Sequence, residues 1–481
     1  MADISDAIFR EYDIRGVFGE DLTVEVAELL GRGYAVYLDQ LGVTRGADFK
    51  VTVGRDVRLS SKQLRDALIK GLTGSGINCV DIGECPTPLQ YYSMHTLPVG
   101  GGVMITGSHN PPEYNGFKVS VGKETIHGEE IQRMKHIIRE HVIGKDYPQV
   151  TPGTVETEDV VPGYIDYVAA NIEMPRLERP LKVVLDSGNG TAGPVAVPLV
   201  RKLGCDVVEL FSEPDGAFPN HHPDPTVAKN LQHLIDAVLE NEADFGVAYD
   251  GDADRIGVVD EKGGIIWGDK LMIVYSRSIL ETNPGATIVG EVKCSQVMYD
   301  EIARWGGVPV MWKTGHSLIK ARMKELGAAM AGEMSGHIFF ADRWFGFDDA
   351  VYASARLMEI VAQKLSTDAA FHLSSMFSGL PETVVTPEIR IDCPDDIKFS
   401  VIEKLEEAIG SGSDDFKIND VIKIDGLRVN FDGGWALVRA SNTQPVLVLR
   451  FEATDNQLLE KAKFFMKTRI EQVRPGIVLG F

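Results

Sequence analysis

Cysteine is scarce in this 481-residue chain: Cys79, Cys85, Cys205, Cys294 and Cys393 are odd in number and nowhere spaced C-x-x-C. That pattern does not support a disulfide framework, and reduced core thiols are expected. Basic residues are in deficit, 48 Lys and Arg against 70 Asp and Glu, a net charge of −22. With a sequence pI near 5.0, no nucleic-acid partner is expected, because phosphate backbones are held by basic surfaces. Small anionic substrates stay open, since a few Arg and Lys in a cleft dominate locally. Long apolar runs are also missing. The stretch Val99–Ile105 is among the longest and falls far short of the ~18 residues a membrane span needs, so no membrane partner is expected. The opening Met-Ala-Asp-Ile-Ser-Asp has no basic stretch followed by an apolar one, which points to the cytoplasm.

A hydrophobic share of 44% and a charged share of 25% are those of globular chains rather than disordered or fibrous ones. The length exceeds what one core can serve, and about three or four domains are expected. Over the first three-quarters, strand-like and helix-like runs alternate, the pattern of α/β domains with largely parallel sheets. Early examples are strand Phe49–Val53, helix Ser60–Leu72, strand Asn78–Ile82 and the apolar Gly102–Ile105, then helix Glu129–His141. After about Phe377 the pattern turns α+β, with strands Val429–Phe431, Ala436–Arg439 and Val446–Phe451 and helix Asn456–Val473. The domains are expected at 1–152, 153–264, 265–377 and 378–481, the first ending in the Pro/Gly-rich linker Asp146–Gly153.

The sharpest chemical signal is Asp250-Gly251-Asp252-Ala253-Asp254-Arg255. In an extended segment, carboxylates at i, i+2 and i+4 share one side, and the small residues between them leave room to converge. Such crowded like charges repel unless a cation sits among them, and an all-oxygen set suits Mg²⁺. An acidic loop that merely solvates its charges is the alternative. An EF-hand fails because Arg255 stands where the loop's sixth-position Gly should be, and strands flank the segment. The Thr106–Pro112 segment places Ser108 on a Pro-terminated turn with Lys118 nearby, either an anion site or an ordinary turn. Gly188-Asn189-Gly190-Thr191-Ala192-Gly193 fits G-x-G-x-x-G between a strand and a helix. Taken alone it would make the chain an NAD-dependent oxidoreductase, although Pro194 and Pro198 crowd the helix start. Arg439–Pro445 joins two strands and fits a phosphate clamp and a self-satisfied hairpin tip equally well. Gly332–His337 could meet sugar hydroxyls or be a polar connection, and His221-His222-Pro223-Asp224 could hold a metal or be a solvated loop.

Taken in order, Phe9–Gly16, Thr106–Lys118, Asp250–Arg255, Gly332–His337 and Arg439–Pro445 resemble the α-D-phosphohexomutase family across nearly the whole chain. Gly-Glu-Met-Ser-Gly-His resembles the bacterial phosphomannomutase/phosphoglucomutase group, whereas phosphoglucosamine mutases, the alternative within the family, usually carry Gln at the position of Met334. The resemblance implies four domains around a central cleft, three mixed α/β sheet domains and a C-terminal TATA-binding-protein-like α+β domain. It implies a phosphoryl carrier at Ser108, with Mg²⁺ bridging it to Asp250, Asp252 and Asp254. Lys118, Arg255, Arg15 and His337 are implied as further catalytic residues. Arg439, Ser441, Asn442 and Thr443 are implied for the substrate's phosphate, and Glu333 and Ser335 for its 3- and 4-hydroxyls. Lys293, His316 and Tyr12 are implied nearby. The activity implied is interconversion of hexose 1- and 6-phosphates (mannose, glucose or both) through a bound hexose 1,6-bisphosphate, by a monomer or weak homodimer. In that family the Gly-Asn-Gly loop binds no nucleotide.

Overall fold

The β-branched and apolar runs pair into successive sheets in the computed structural model, which describes residues 4–410, 412, 413, 416–442 and 444–480. The chain divides into two compact units, Met1–Ser278 with Ser335–Met376, and Ile279–Met334 with Phe377–Phe481.

In the first unit one sheet runs Ile14–Val17, Tyr114–Val121, Gly101–Ile105, Lys50–Arg55, Asn78–Glu84, Val155–Thr157. Its centre is parallel, but Tyr114–Val121 returns antiparallel to Gly101–Ile105 and pairs Lys118 with Met104. That returning strand is not among the strands read from the sequence, because Asn115, Gly116, Lys118 and Ser120 interrupt its apolar pattern. Flanked on both sides by other strands, it is nonetheless buried from Asn115 to Ser120. The expected helix Glu129–His141 ends at Ile137 and continues as a π-helical turn, Ile138–Val142. Ile137, Ile138 and Val142 all lie in the core, which the widened turn allows at adjacent positions.

A second sheet runs Ile265–Ile266, Ile256–Asp260, Phe245–Tyr249, Lys182–Asp186, Asp206–Leu210, with Phe245–Tyr249 central and buried throughout. The Ser108 and Asp250 loops both leave the carboxyl ends of strands, where open α/β sheets place their ligands.

In the second unit Thr287–Glu291 lies between Val308–Trp312 and Met330–Gly332, all parallel. An antiparallel sheet follows in the order Val384–Val385, Val446–Ala453, Gly434–Ala440, Leu427–Phe431, Asp420–Ile422. Helices Lys398–Ile409 and Asn456–Val473 contribute to its core through Val401, Leu405, Leu459, Ala462 and Met466. Asp455 caps the second helix by accepting from the Leu458 N–H at 2.9 Å. The two parts of this unit are fastened by Arg428, fully buried, which donates to the carbonyls of Val292 (2.6 Å) and Cys294 (2.8 Å) and stacks 3.9 Å from the Trp435 ring centre.

All five cysteines are free and buried. Burial pushes the thiols of Cys79, Cys85 and Cys205 up to about 12, so they behave as small apolar residues. Among the described residues, no helix is long and apolar enough to cross a membrane.

Candidate active site

Ser108 is 3% exposed and adopts φ +48°, a left-handed conformation uncommon for a residue with a side chain. Its backbone is held from two sides. The N–H donates to Thr106 Oγ1 at 2.8 Å, and the carbonyl accepts from Arg58 Nη2 at 2.8 Å. Arg58 is buried and also donates to the carbonyls of Asn110 (2.5 Å), Pro111 (2.5 Å) and Tyr114 (2.9 Å). Asp56 accepts from Arg58 Nε at 3.2 Å and from the Gly107 N–H at 3.0 Å. The loop is therefore cast around a buried ion pair, and the Ser108 side chain is left for other work. Its Oγ donates to Asp250 Oδ2 at 2.8 Å and lies 3.0 Å from His109 Nδ1.

The acidic segment differs from the extended stretch expected. It is a tight turn, with the Ala253 N–H donating to the Asp250 carbonyl at 3.1 Å and Ala253 at φ +57°. The carboxylates still converge, because the turn folds them inward: one oxygen from each of Asp250, Asp252 and Asp254 lies within 4.8 Å of the others, all buried. Asp250 Oδ1 accepts the N–H groups of Asp254 and Arg255, each at 3.1 Å. Gly251 is needed for the close approach: a Cβ there would sit 2.6 Å from the Ser108 carbonyl oxygen.

Lys118 Nζ reaches Asp252 Oδ2 at 3.2 Å and forms a closer ion pair with Asp254. A backbone bridge between Arg255 and His337 brings Ser335 and His337 to the same place. His337 Nε2 lies 3.2 Å from Asp254 Oδ1, and Arg255 Nε 3.2 Å from that imidazole nitrogen. Ser335 Oγ is 3.3 Å from His337 Nδ1. Arg15 stands one step out: it donates to Asn110 Oδ1 at 2.7 Å and pairs with Asp13. Tyr12 is half-buried just before the strand Ile14–Val17.

Charges in this cluster oppose one another strongly. Burial, then the charges of Asp254 and Asp252, push the Asp250 carboxyl well above the usual carboxylate range. Burial also opposes ionisation of Asp254, yet Lys118, His337 and Arg255 outweigh it and hold that carboxyl well below. Desolvation, then Arg255 and Arg15, keep His109 well below the imidazole range, so the ring beside Ser108 is neutral. Three buried carboxylates crowd around one lysine, and the buried Oδ1 atom of Asp252 has no hydrogen-bond partner. A hard divalent cation fits that donor set.

In the second unit, Glu333 Oε1 accepts from the Gly315 N–H at 2.7 Å, immediately before His316 opens the helix His316–Leu326. Glu291, buried, accepts from Thr314 Oγ1 (2.6 Å) and the Met334 N–H (2.9 Å) and lies 3.5 Å from Lys293 Nζ. Asp425 joins the Thr314 N–H (3.0 Å) to Arg439 Nε (2.9 Å). Ser441 Oγ accepts from the Gln444 N–H at 3.2 Å, and Asn442 is half-buried beside it. Thr443 lies outside the described residues. Buried Glu291 and Glu333 and half-buried Asp425 thus tie the Glu333, His316, Lys293 and Arg439 segments together.

Lys293 also pairs with Glu388 at 3.2 Å. That cation, against the effect of burial and with help from Arg390, draws the Glu388 carboxyl down from its ordinary 4.5 to about 2. A depressed carboxyl stabilises the fold above its ordinary value, and that contribution is lost as pH falls through about 2. Glu388→Gln is therefore expected to destabilise at neutral pH, by an amount that shrinks between pH 4.5 and 2 in urea melts followed by tryptophan fluorescence. A difference that stays constant over that range contradicts the pair.

The dinucleotide fingerprint fails on its backbone. The N–H of Gly188 is taken by Asp186 Oδ1, and those of Asn189, Gly190 and Thr191 by the carbonyls of Phe211, Ser187 and Gly251, leaving no row of amides for a pyrophosphate. Gly190 instead lets its loop back onto the acidic turn, where a Cβ would meet the Gly251 carbonyl oxygen at 2.7 Å. His221 is likewise occupied, its Nε2 lying 3.0 Å from Asp186. Sequence reasoning missed Arg58, Asp56 and Glu291; only the Asp-x-Arg spacing beside a strand end offered any signal.

Residues 6–141, 162–264, 267–377 and 388–466 match, in turn, alpha/beta/alpha domains I, II and III and the C-terminal domain of phosphoglucomutase/phosphomannomutase. A phosphomannomutase/phosphoglucomutase of Pseudomonas aeruginosa is 45% identical over 475 residues, covering 99% of this chain and 98% of that protein. A phosphoglucomutase of Neisseria meningitidis serogroup A is 43% identical over 481 residues, covering 99% of each. The crystal structure of a phosphoglucomutase/phosphomannomutase family protein from Burkholderia thailandensis superposes with TM-score 0.89 at 40% identity over the whole of both chains.

Proposed function

Because this chain belongs to the phosphoglucomutase/phosphomannomutase family, we propose that it interconverts the 1- and 6-phosphates of glucose and mannose, with Ser108 as phosphoryl carrier. The observation that carries this is the Ser108 hydroxyl, 2.8 Å from Asp250 in a buried cluster where Lys118 is ion-paired to Asp252 and Asp254. The phosphoryl group on Ser108 passes to the free hydroxyl of a bound hexose phosphate: the Oγ–P bond breaks, a sugar O–P bond forms, and the proton of the sugar hydroxyl ends on Ser108 Oγ. The resulting hexose 1,6-bisphosphate turns end over end, and its other phosphoryl group returns to Ser108. Lys118 and Arg255, with Arg15 through the loop, offset charge on the moving group. His337 fixes the Arg255 side chain and Asp254. Arg439, Ser441, Asn442 and Thr443 take the substrate's standing phosphate, Glu333 and Ser335 its 3- and 4-hydroxyls, and Lys293, His316 and Tyr12 complete the contacts.

A phosphoserine adds about −1.5 to −2 charges to three carboxylates. Asp250, Asp252 and Asp254, with Ser108, would hold Mg²⁺, which would neutralise that charge and polarise the phosphoryl group. The same proposal has the chain working as a monomer or weak homodimer in the cytoplasm, where reducing conditions suit its five free thiols.

The test offers the purified chain glucose 1-phosphate and mannose 1-phosphate with Mg²⁺. Both are expected to yield the 6-phosphate with specificity constants within a thousandfold, almost no inorganic phosphate, and loss of activity on chelation. Inorganic phosphate released at the turnover rate would make the chain a phosphatase, and a wider preference would overturn the dual substrate. Intact mass should show one phosphoryl group, absent from Ser108→Ala.

A further inference from the structure

We infer that Thr87 is a positioning residue for the metal: its hydroxyl, with that of Thr106, saturates one oxygen of Asp252 and leaves the other to face the cation. The inference rests on the metal site proposed above, yet Thr87 belongs to none of the loops that carry it. Thr87 opens the helix Thr87–Thr96 after Pro86, at the far end of the strand Asn78–Glu84 from the linker. It grips Asp252 twice. The Thr87 N–H donates to the Asp252 carbonyl at 2.9 Å, and Oγ1 donates to Asp252 Oδ2 at 2.6 Å.

Two more donors meet the same oxygen, Thr106 Oγ1 at 3.0 Å and Lys118 Nζ at 3.2 Å. A carboxylate oxygen has two in-plane lone pairs, so three donors exhaust Oδ2. Asp252 Oδ1 is equally buried and has no hydrogen-bond partner. Leaving a buried carboxylate oxygen without a partner is costly, and a bound cation offsets that cost. The asymmetry fixes which oxygen is offered and keeps the carboxylate plane from rotating, the part outer partners play around metal ligands. Thr106 also ties this arrangement to the carrier loop, since the hydroxyl that donates to Asp252 accepts the Ser108 N–H at 2.8 Å. Thr87 has no such second duty. Of the three donors it touches the Asp252 side chain without touching Ser108 or Asp254 through any bond described above, which makes it the clean position to alter.

The experiment measures Mn²⁺ binding to the full-length chain by the free-ion electron paramagnetic resonance signal. Thr87→Val, nearly isosteric and still carrying its N–H, should weaken Mn²⁺ about 10–100-fold, whereas Thr87→Ser should stay within about threefold of wild type. The Mg²⁺ concentration for half-activation should rise in parallel, with turnover recovering at saturating Mg²⁺ and KM for glucose 1-phosphate unchanged. A merely structural residue would not show that rescue. Wild-type Mn²⁺ affinity in Thr87→Val, alongside its loss in Asp252→Asn, overturns the inference and leaves the metal site standing. Failure of the wild type to bind Mn²⁺, or indifference to Asp252→Asn, overturns both. Should Thr87→Val prove insoluble, Thr87→Cys, a weaker donor of similar size, carries the same comparison.

Discussion

Ser108→Ala lowers turnover of glucose 1-phosphate at least about a thousandfold, equivalent to ~4 kcal/mol of barrier. The expectation follows from how the residue is held. Its N–H and carbonyl are fixed by Thr106 and Arg58, so the loop keeps its shape when the hydroxyl goes. What disappears is the Oγ that donates to Asp250, the only atom of this side chain able to carry a phosphoryl group. Steady-state turnover, with circular dichroism to confirm the fold, measures the loss. A variant that keeps a tenth of the activity would falsify Ser108 as the carrier.

Arg58→Met is expected to have the second largest effect, and it acts without touching the chemistry. Four carbonyls of the carrier loop converge on one buried guanidinium paired with Asp56. Burial by itself disfavours that charge, and Asp56 is the partner that sustains it. Removing the cation leaves a buried carboxylate and several carbonyls uncompensated, which typically costs ~3–5 kcal/mol. In a chain of two units a single unfolding midpoint would blur this, so hydrogen exchange of the amides between Gly107 and Tyr114 is the measurement. Their protection should fall by orders of magnitude, turnover should drop with it, and Asp56→Asn in the same chain should recover part of the loss. Unchanged protection would mean that the loop is held by something else.

How far the site could be read beforehand depended on the kind of residue. Ser108, Lys118, Arg255, His337 and the three aspartates sit in short segments whose residue types announce charge and a hydroxyl. Within the first unit, strand ends bring those segments together. The geometry of the acidic segment was not legible. Alternation in sequence suggests an extended run, but Ala253 turns left-handed and the backbone closes on itself. A G-x-G-x-x-G motif misled for the opposite reason: its local pattern is right, while its amides are spent on Phe211, Ser187 and Gly251. Thr87 and Glu291 carry no local signal, because each acts on loops remote in the chain.

The amino-acid order by itself determined the alternation of strands and helices, the shift to an α+β region near Phe377, and which segments concentrate carboxylates, hydroxyls and cations. Hydrophobic period and turn residues act over a few neighbours, so they are legible one segment at a time. Only the tertiary structure decided which oxygen of each aspartate is already occupied, what grips the serine loop, and why the glycine-rich turn lies against the acidic one. Those outcomes depend on hydrogen bonds between residues 50 to 165 positions apart, whose partners are chosen by folding rather than by proximity in the chain.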